Sequence, residues 1–277
     1  MRELEESREV IRIKTLAEQK RNEQEFTLAQ ETQESLLPRA LPRFENYRTH
    51  AFNHPTRYVG GDIYDFLQVS SGEWMGVLAD VSGKGMPAAL LSSMVLGALR
   101  MEFRSGTEPQ EVLQRVNRLL CEKSLPSQFV SLFLFMLGPG GAGRFISAGH
   151  DPVYLFRAAT GELEKLTSDA AVLGLFVFGS WETRPFHLDG GDILVVYSDG
   201  LIDAENADEE MFGEKRLREV IRRQGPSGGC AVEQGLLQAC KEFTGGLPQI
   251  DDITLVVVEK RSVGNPEPSG AQRHLVT

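Results

Sequence analysis

GGDIYDFLQVSSGEWMGVLADVSGKGMPAALLSSMVLGALRMEF, residues 60–103, decides the fold class of this 277-residue chain. Asp62–Val69 and Glu73–Asp80 are short apolar runs rich in strand formers. They meet through Ser70-Ser71-Gly72, a hairpin signal. Pro87 then opens AALLSSMVLGALRMEF, a run of helical length whose Met, Leu and Val read as core packing. Thr107-x-x-Gln110 reads as a capping box for a second helix, with Val112, Leu113, Val116, Leu119 and Leu120 on its apolar side. Two strands are thus followed by two consecutive helices, with no β-α-β alternation.

The same texture extends in both directions. Tyr47–Asn53 reads as a strand before the quoted stretch. After it come strands at Phe129–Leu137, Arg144–Ala148, Val153–Arg157, Thr183–Leu188 and Asp192–Ser198. The last two are separated by Asp189-Gly190-Gly191, read as a hairpin turn. Gly213–Arg223 and Ala231–Phe243 read as a second helix pair, and Ile253–Glu259 as a final strand. Paired strands and paired helices predict an α+β layered architecture of mostly antiparallel sheets covered by helices. Residues 39–260 form that domain, and the Pro- and Gly-containing tail 261–277 reads as disordered.

Residues 1–38 differ. Positions 1–34 hold six basic and nine acidic side chains and no Gly or Pro, which predicts a long exposed linker helix ended by Pro38 and Pro42. Its apolar positions include Leu4, Ile11, Ile13, Leu16, Phe26, Leu28, Leu36 and Leu37, but Glu18–Glu25 has none. A coiled coil making a homodimer through residues 1–36 and a solvated linker both fit this broken pattern.

Composition excludes several function classes. Lys plus Arg is 29 against 39 for Asp plus Glu, a formal charge of −10 that argues against nucleic acid as a partner. Cys121, Cys230 and Cys240 are odd in number and lack C-x-x-C spacing, so neither a disulfide framework nor a zinc site is expected. None has an Arg six residues downstream. Gly83-Lys84 is followed by Gly85 rather than Ser or Thr, so it is not a P-loop. The charged N-terminus and the lack of a long apolar run predict a cytoplasmic chain without membrane insertion.

Four segments set an aspartate at the end of an apolar strand: Gly60-Gly61-Asp62, Ala79-Asp80-Val81, Ser198-Asp199-Gly200 and Asp251-Asp252-Ile253. A lone Asp-Gly at such a place is ordinarily a turn. Several carboxylates converging on one rim would repel one another unless cations neutralised them. Mg²⁺ and Mn²⁺ favour such oxygen-only donor sets. Turns and a divalent-cation site both remain open on pattern alone.

These residues carry a resemblance. Val59–Phe66 (VGGDIYDF), Ala79–Gly85 (ADVSGKG) followed by Met86–Leu90 (MPAAL), Ser147–His150 (SAGH), Ser198–Leu201 (SDGL), Asp251–Thr254 (DDIT) and the lead-in Gln33–Pro38 (QESLLP) resemble the PPM (type 2C) protein phosphatases. The similarity is to their bacterial sporulation and stress-response branch, runs over about 33–259 and keeps the family's order. It implies a four-layer αββα sandwich of two mainly antiparallel sheets flanked by helix pairs. It also implies two divalent cations, Mn²⁺ or Mg²⁺: Asp80 bridging both, the Val81 carbonyl on one, Asp199 and Asp251 completing the other, and Asp62 on the second ion directly or through water. Asp62, Asp80 and Asp199 would be the catalytic set, and Asp251 rather than Asp252 the ligand. The implied reaction is hydrolysis of phosphoserine or phosphothreonine by a metal-bridging hydroxide, without a phosphoenzyme.

By analogy the substrate would be a phosphorylated regulatory protein such as an anti-sigma-factor antagonist. Control would come through the N-terminal helix, from an upstream sensor domain in a longer protein or from a partner. The animal enzymes hold the phosphate with an N-terminal Arg that this bacterial branch generally lacks, and either Arg57 or Lys84 could serve instead. Arg57 and Lys84 are the nearby cations, each also readable as an ordinary surface charge, and His150 reads as structural. Met211-Phe212-Gly213, after the charged loop 203–210, reads as the cap of a flexible flap near Asp199. The competing function is a catalytically weak or inactive regulatory scaffold of the same fold that binds partners through the N-terminal helix. A two-metal phosphodiesterase or nuclease is disfavoured by the acidic surface.

Overall fold

The structure, a computed structural model, describes residues 2–38, 40–41, 46–70, 72–262 and 273–274. Pro42, Ser71, the side chain of Leu4 and most of the tail at 263–277 lie outside the described residues. The elements are α1 (Arg2–Leu36), β1 (Tyr47–His54), β2 (Ile63–Ser70), β3 (Glu73–Val81), α2 (Met86–Arg104), α3 (Pro109–Lys123), β4 (Val130–Leu137), β5 (Ala142–Ala148), β6 (Val153–Phe156), β7 (Leu163–Leu166), β8 (Arg184–His187), β9 (Ile193–Tyr197), α4 (Asp199–Ile202), α5 (Gly213–Gln224), α6 (Gly229–Thr244), β10 (Ile253–Lys260) and the two-residue β11 (Arg273–His274).

One sheet has the order β11-β1-β10-β9-β6-β7 and the other β2-β3-β4-β5-β8. Among the described residues, every pairing of named strands is antiparallel except β1 with β11. The period-two alternation of side chains explains the layering. In β9, Leu194 and Val196 enter the core between the sheets, while Ile193, Val195 and Tyr197 enter a second core beneath α5 and α6. Val256 and Val258 of β10 face inward in the same way, and Leu255 and Val257 outward. These strands are buried on both faces, so they read as continuous apolar runs although they are antiparallel. Helices α2 and α3 cover the five-stranded sheet, with α2 against β2 and β3, while α6 lies on β1 and β10. The result is the expected αββα sandwich.

Three local expectations differ. Thr107 does not cap α3. The helix starts at Pro109 with Glu108 as its N-cap, and Thr107 lies one residue too early, hydrogen-bonded to Ser105 instead. Asp189-Gly190-Gly191 is not a hairpin turn: β8 pairs with β5 while β9 lies in the other sheet, so the turn crosses between layers. Strand β7 and the single turn α4 fall where no element was expected, the strand being only half apolar.

A charged clamp joins three elements near the site. Arg100 on α2 donates from Nε to Asp65 Oδ2 at 2.6 Å, from Nη2 to Asp65 Oδ1 at 3.0 Å, and from Nη2 to the Leu36 carbonyl at the end of α1 at 2.8 Å. Asp65 is 2% exposed. Arg100→Ala leaves that carboxylate buried and unpaired. It is expected to cost about 2–4 kcal/mol in urea unfolding, somewhat below a fully buried pair because the guanidinium is partly solvated. Adding Asp65→Asn should recover part of the loss.

Candidate metal centre

Antiparallel register brings the four aspartate segments to one rim. Ile63 pairs with Ala79, so Asp62, just before β2, and Asp80, near the end of β3, share one end of their hairpin. Leu255 pairs with Tyr197, so Asp199, after β9, and Asp251, before β10, share an end of theirs. The two ends are tied across the sheets by Asp252, whose Oδ2 accepts the Gly61 N–H at 2.7 Å and whose Oδ1 accepts the Thr56 N–H at 2.7 Å.

Glycine is required where backbone meets backbone here. A Cβ on Gly61 would stand 2.6 Å from the Val81 carbonyl oxygen, and one on Gly200 would stand 2.1 Å from that of Asp252. Both are closer than non-bonded atoms tolerate, so larger residues would push the loops apart.

The carboxylates form one electrostatic cluster. Asp62 is 4% exposed, and its Oδ2 is buried without a hydrogen bond. Burial first, then the charges of Asp80 and Asp252, hold its carboxyl well above the usual range, against opposing hydrogen bonds from Ser198 and Thr254. Asp80 is pushed up to about 7 by burial, then by Asp199 and Asp251. Asp199 is pushed up to about 6 by burial, then by Asp251, Asp203 and Asp151. An orphaned buried carboxylate oxygen amid mutually repelling carboxylates, with the Val81 carbonyl packed against Gly61, is an all-oxygen donor set suited to hard divalent cations.

Asp62, Asp80, Val81, Asp199 and Asp251 therefore come together. Asp252 sits among them, but both its oxygens are committed to backbone N–H groups. His150 is buried with its edge toward Phe133, and its Nδ1 lies 2.9 Å from the Asp151 carbonyl. Burial lowers its pKa to about 4, so it is neutral near pH 7. Phe212, at the end of the 203–210 loop, is 1% exposed and packs edge-on against Phe243 under α5 and α6. The preceding loop is closed by Asn206, whose Oδ1 accepts the N–H groups of Asp208 and Glu210.

Sequence reasoning missed three residues. Asp203 and Asp151 ring the cluster, the first raised by burial and Asp251, the second by burial, Asp203 and Glu214. Asp203 is four residues after Asp199, a spacing visible in the chain but without meaning until α4 is known. Gln33 on α1 exchanges a reciprocal pair of hydrogen bonds with the backbone of Gly60, at 2.7 and 3.0 Å. It lies in the quoted QESLLP stretch, which pointed to the segment but not to this contact.

Lys84 is engaged rather than free. Its Nζ is 2.9 Å from Asp251 Oδ2 and donates to the Ile250 carbonyl, both side chains being about two-fifths exposed. An ammonium there competes with any cation for Asp251. Lys84→Ala is expected to tighten Mn²⁺ binding about fivefold by calorimetric titration, the effect of removing roughly 1 kcal/mol of like-charge repulsion in a wet site. It should leave stability nearly unchanged. Weaker Mn²⁺ binding would show that Lys84 orders the site instead.

The family model for stage II sporulation protein E (SpoIIE) matches residues 70–261. Among curated proteins, the chain is 27% identical over 239 residues to the phosphoserine phosphatase RsbU of Bacillus subtilis, covering 86% of this chain and 70% of RsbU. Among solved structures, it is similar to the SiaA-PP2C domain of Pseudomonas aeruginosa, with a TM-score of 0.77, 20% identity, and coverage of 88% of this chain and 98% of that one. It is also similar to the RsbU and RsbW domains of Rv1364c from Mycobacterium tuberculosis, with a TM-score of 0.71 and 21% identity. There it covers 84% of this chain and 64% of that one, just under two thirds.

Proposed function

Because the chain belongs to the SpoIIE family of PP2C-type serine/threonine phosphatases, with homologues in sigma-factor regulation, we propose that it hydrolyses phosphoserine or phosphothreonine on a partner protein at the Asp62–Asp80–Asp199–Asp251 rim. The observation that supports this most is the buried, unpartnered Asp62 Oδ2 within a cluster of mutually repelling carboxylates. Such a cluster is costly unless it serves to hold positive charge.

Asp62, Asp80, Asp199, Asp251 and the Val81 carbonyl would hold two divalent cations, Mn²⁺ or Mg²⁺. When bound, these supply charge neutralisation, Lewis acidity toward a phosphoryl oxygen and acidification of water. Asp80 interacts with Asp62 as well as with Asp199 and Asp251, which suits it to the shared position. Asp252, Gly61 and Gly200 fix the loops that aim these side chains. Lys84 and Arg57 line one open cavity of about 840 Å³ beside the rim and would meet an incoming phosphate. His150, neutral and buried, is not suited to protonate the leaving group. The three cysteines sit on α3 and α6 rather than at the strand ends that carry the aspartates.

The preferred substrate would be a phosphorylated regulatory protein of the anti-sigma-factor-antagonist type, in the cytoplasm. Control would pass from α1 through Gln33 to Gly60, driven by an upstream sensor domain, a partner or a second copy. Ile11, Ile13, Leu16 and Leu28 of α1 are exposed and would supply a dimer contact. The test is release of phosphate from a phosphoserine-bearing protein. We expect turnover with Mn²⁺ and none after chelation, restored on adding the metal back. Equal rates in both conditions would overturn the metal assignment, and Mn²⁺ binding without turnover on any phosphoprotein would favour the scaffold reading.

A further inference from the structure

A second cluster of ligating side chains lies on the outer face of the six-stranded sheet, away from the aspartate rim. His50 projects from β1 toward α6, where Cys230 and Glu233, three residues apart, share one face of the helix's first turns. One ligating atom from each of the three lies within 4.8 Å of the other two. Glu233 is 0% exposed, and neither of its carboxylate oxygens has a hydrogen bond. The approach of His50 Nδ1 to Glu233 Oε2, at 3.7 Å, is too long for a hydrogen bond.

A fully buried carboxylate without hydrogen bonds is rare and expensive. It is relieved by taking a proton or by binding a cation. Burial pushes Glu233 up to about 7, so neither state is favoured outright near neutral pH. The neighbours distinguish which cation fits. Imidazole nitrogen, thiolate sulfur and one carboxylate oxygen are a borderline-soft set that suits Zn²⁺ or Co²⁺ and not Mg²⁺ or Ca²⁺. Metal–ligand bonds of roughly 2.0–2.3 Å place tetrahedral ligands about 3.3–3.8 Å apart, and the His50–Glu233 separation already falls in that range. Cys230 is exposed, which gives a metal ion a path from solvent and leaves room for a fourth ligand such as water.

The surroundings are built to hold the helix end. Glu259 on β10 accepts the Gly229 N–H at 2.9 Å and pairs with Arg48 of β1 at 3.3 Å. The first turn of α6 is thereby fixed over β1. We propose that His50, Cys230 and Glu233 form a zinc site that staples α6 to β1, distinct in position and ligand chemistry from the carboxylate rim. Through β10, the partner of β1, this staple stiffens the strand that begins at the Asp251–Asp252 pair. It does not depend on the proposed phosphatase activity.

The test uses the full chain, stripped with chelator and titrated with Co²⁺ alone. A cysteine-ligated Co²⁺ gives a thiolate-to-cobalt charge-transfer absorption, which the oxygen-only rim lacks the sulfur to produce. The expected result is a band that saturates at one equivalent, bleaches on adding Zn²⁺, and persists in Cys121→Ala, Cys240→Ala and Asp80→Asn. Cys230→Ser should abolish it, and Glu233→Gln or His50→Gln should weaken Co²⁺ binding at least about tenfold. Zn²⁺ should raise the melting temperature of Asp80→Asn but not of Asp80→Asn/Cys230→Ser. Since Cys230 is exposed, the serine variant is expected to fold, and circular dichroism checks this. Absence of the band, or its survival in Cys230→Ser, would overturn the proposal and leave Glu233 a buried protonated acid beside His50.

Discussion

Asp80→Asn is expected to lower phosphatase turnover at least about a hundredfold while raising the melting temperature of the chelated protein. The loss follows from deleting the charge that interacts with Asp62, Asp199 and Asp251 together, where stabilisation of transition-state charge is worth several kcal/mol. The gain follows from linkage. The folded carboxyl titrates near 7, above its unfolded value of about 4, so the ionised group destabilises the fold at pH 8. That cost fades as pH falls through the folded pKa and is gone below the unfolded one. Asparagine keeps the shape and removes the charge, which should return on the order of 1–2 kcal/mol, or a few degrees. With Mn²⁺ in excess the order should invert, because the ions stabilise the wild type more strongly. Scanning calorimetry with and without chelator reads both signs. A chelated variant that melts below the wild type would contradict the repulsion account.

Asp252→Ala is expected to cost about 2–5 kcal/mol and to disable the site without removing a proposed ligand. Two effects oppose each other. Losing this carboxylate relieves its repulsion of Asp62 and Asp80. It also strands the N–H groups of Thr56 and Gly61, each bonded at 2.7 Å. Two charge-assisted hydrogen bonds at a buried position outweigh partial relief of a repulsion that cations neutralise in any case. Denaturant unfolding should show the loss, and Mn²⁺ titration should show weakened affinity as the Gly60-Gly61-Asp62 loop comes loose. Asp252→Asn, which keeps one acceptor, should fall between. An alanine variant as stable as the wild type would mean the loop is held by other contacts, chiefly Gln33.

Much of the candidate site was legible in the chain because the chemistry proposed for it depends on residue type at strand ends. Asp62, Asp80, Asp199 and Asp251 stood at the ends of apolar runs, the first three in segments that also carry glycine, and the motifs around them were distinctive. Asp252 shows the limit. Side by side with Asp251 in the sequence, it differs only in facing the 55–61 loop, and that direction is set by β10 entering its sheet. Asp151 and Asp203 carried no local signal, since their part in the cluster comes from proximity across elements. Lys84 read as a surface cation because its partner lies 167 positions away, at Asp251.

The fold divides in the same way. Apolar periodicity, glycine-marked turns and consecutive helices determined the α+β class and most element positions, because these reflect forces acting within ten or so residues. Sheet membership was decided only in three dimensions. β8 and β9 are neighbours in the chain with a turn between them, yet each finds its hydrogen-bond partner elsewhere. Local sequence specifies that a strand forms; which edge it joins depends on which opposing apolar face is left to be covered. For the same reason His50, Cys230 and Glu233 meet only after α6 has settled on β1, and no spacing rule along the chain could have announced it.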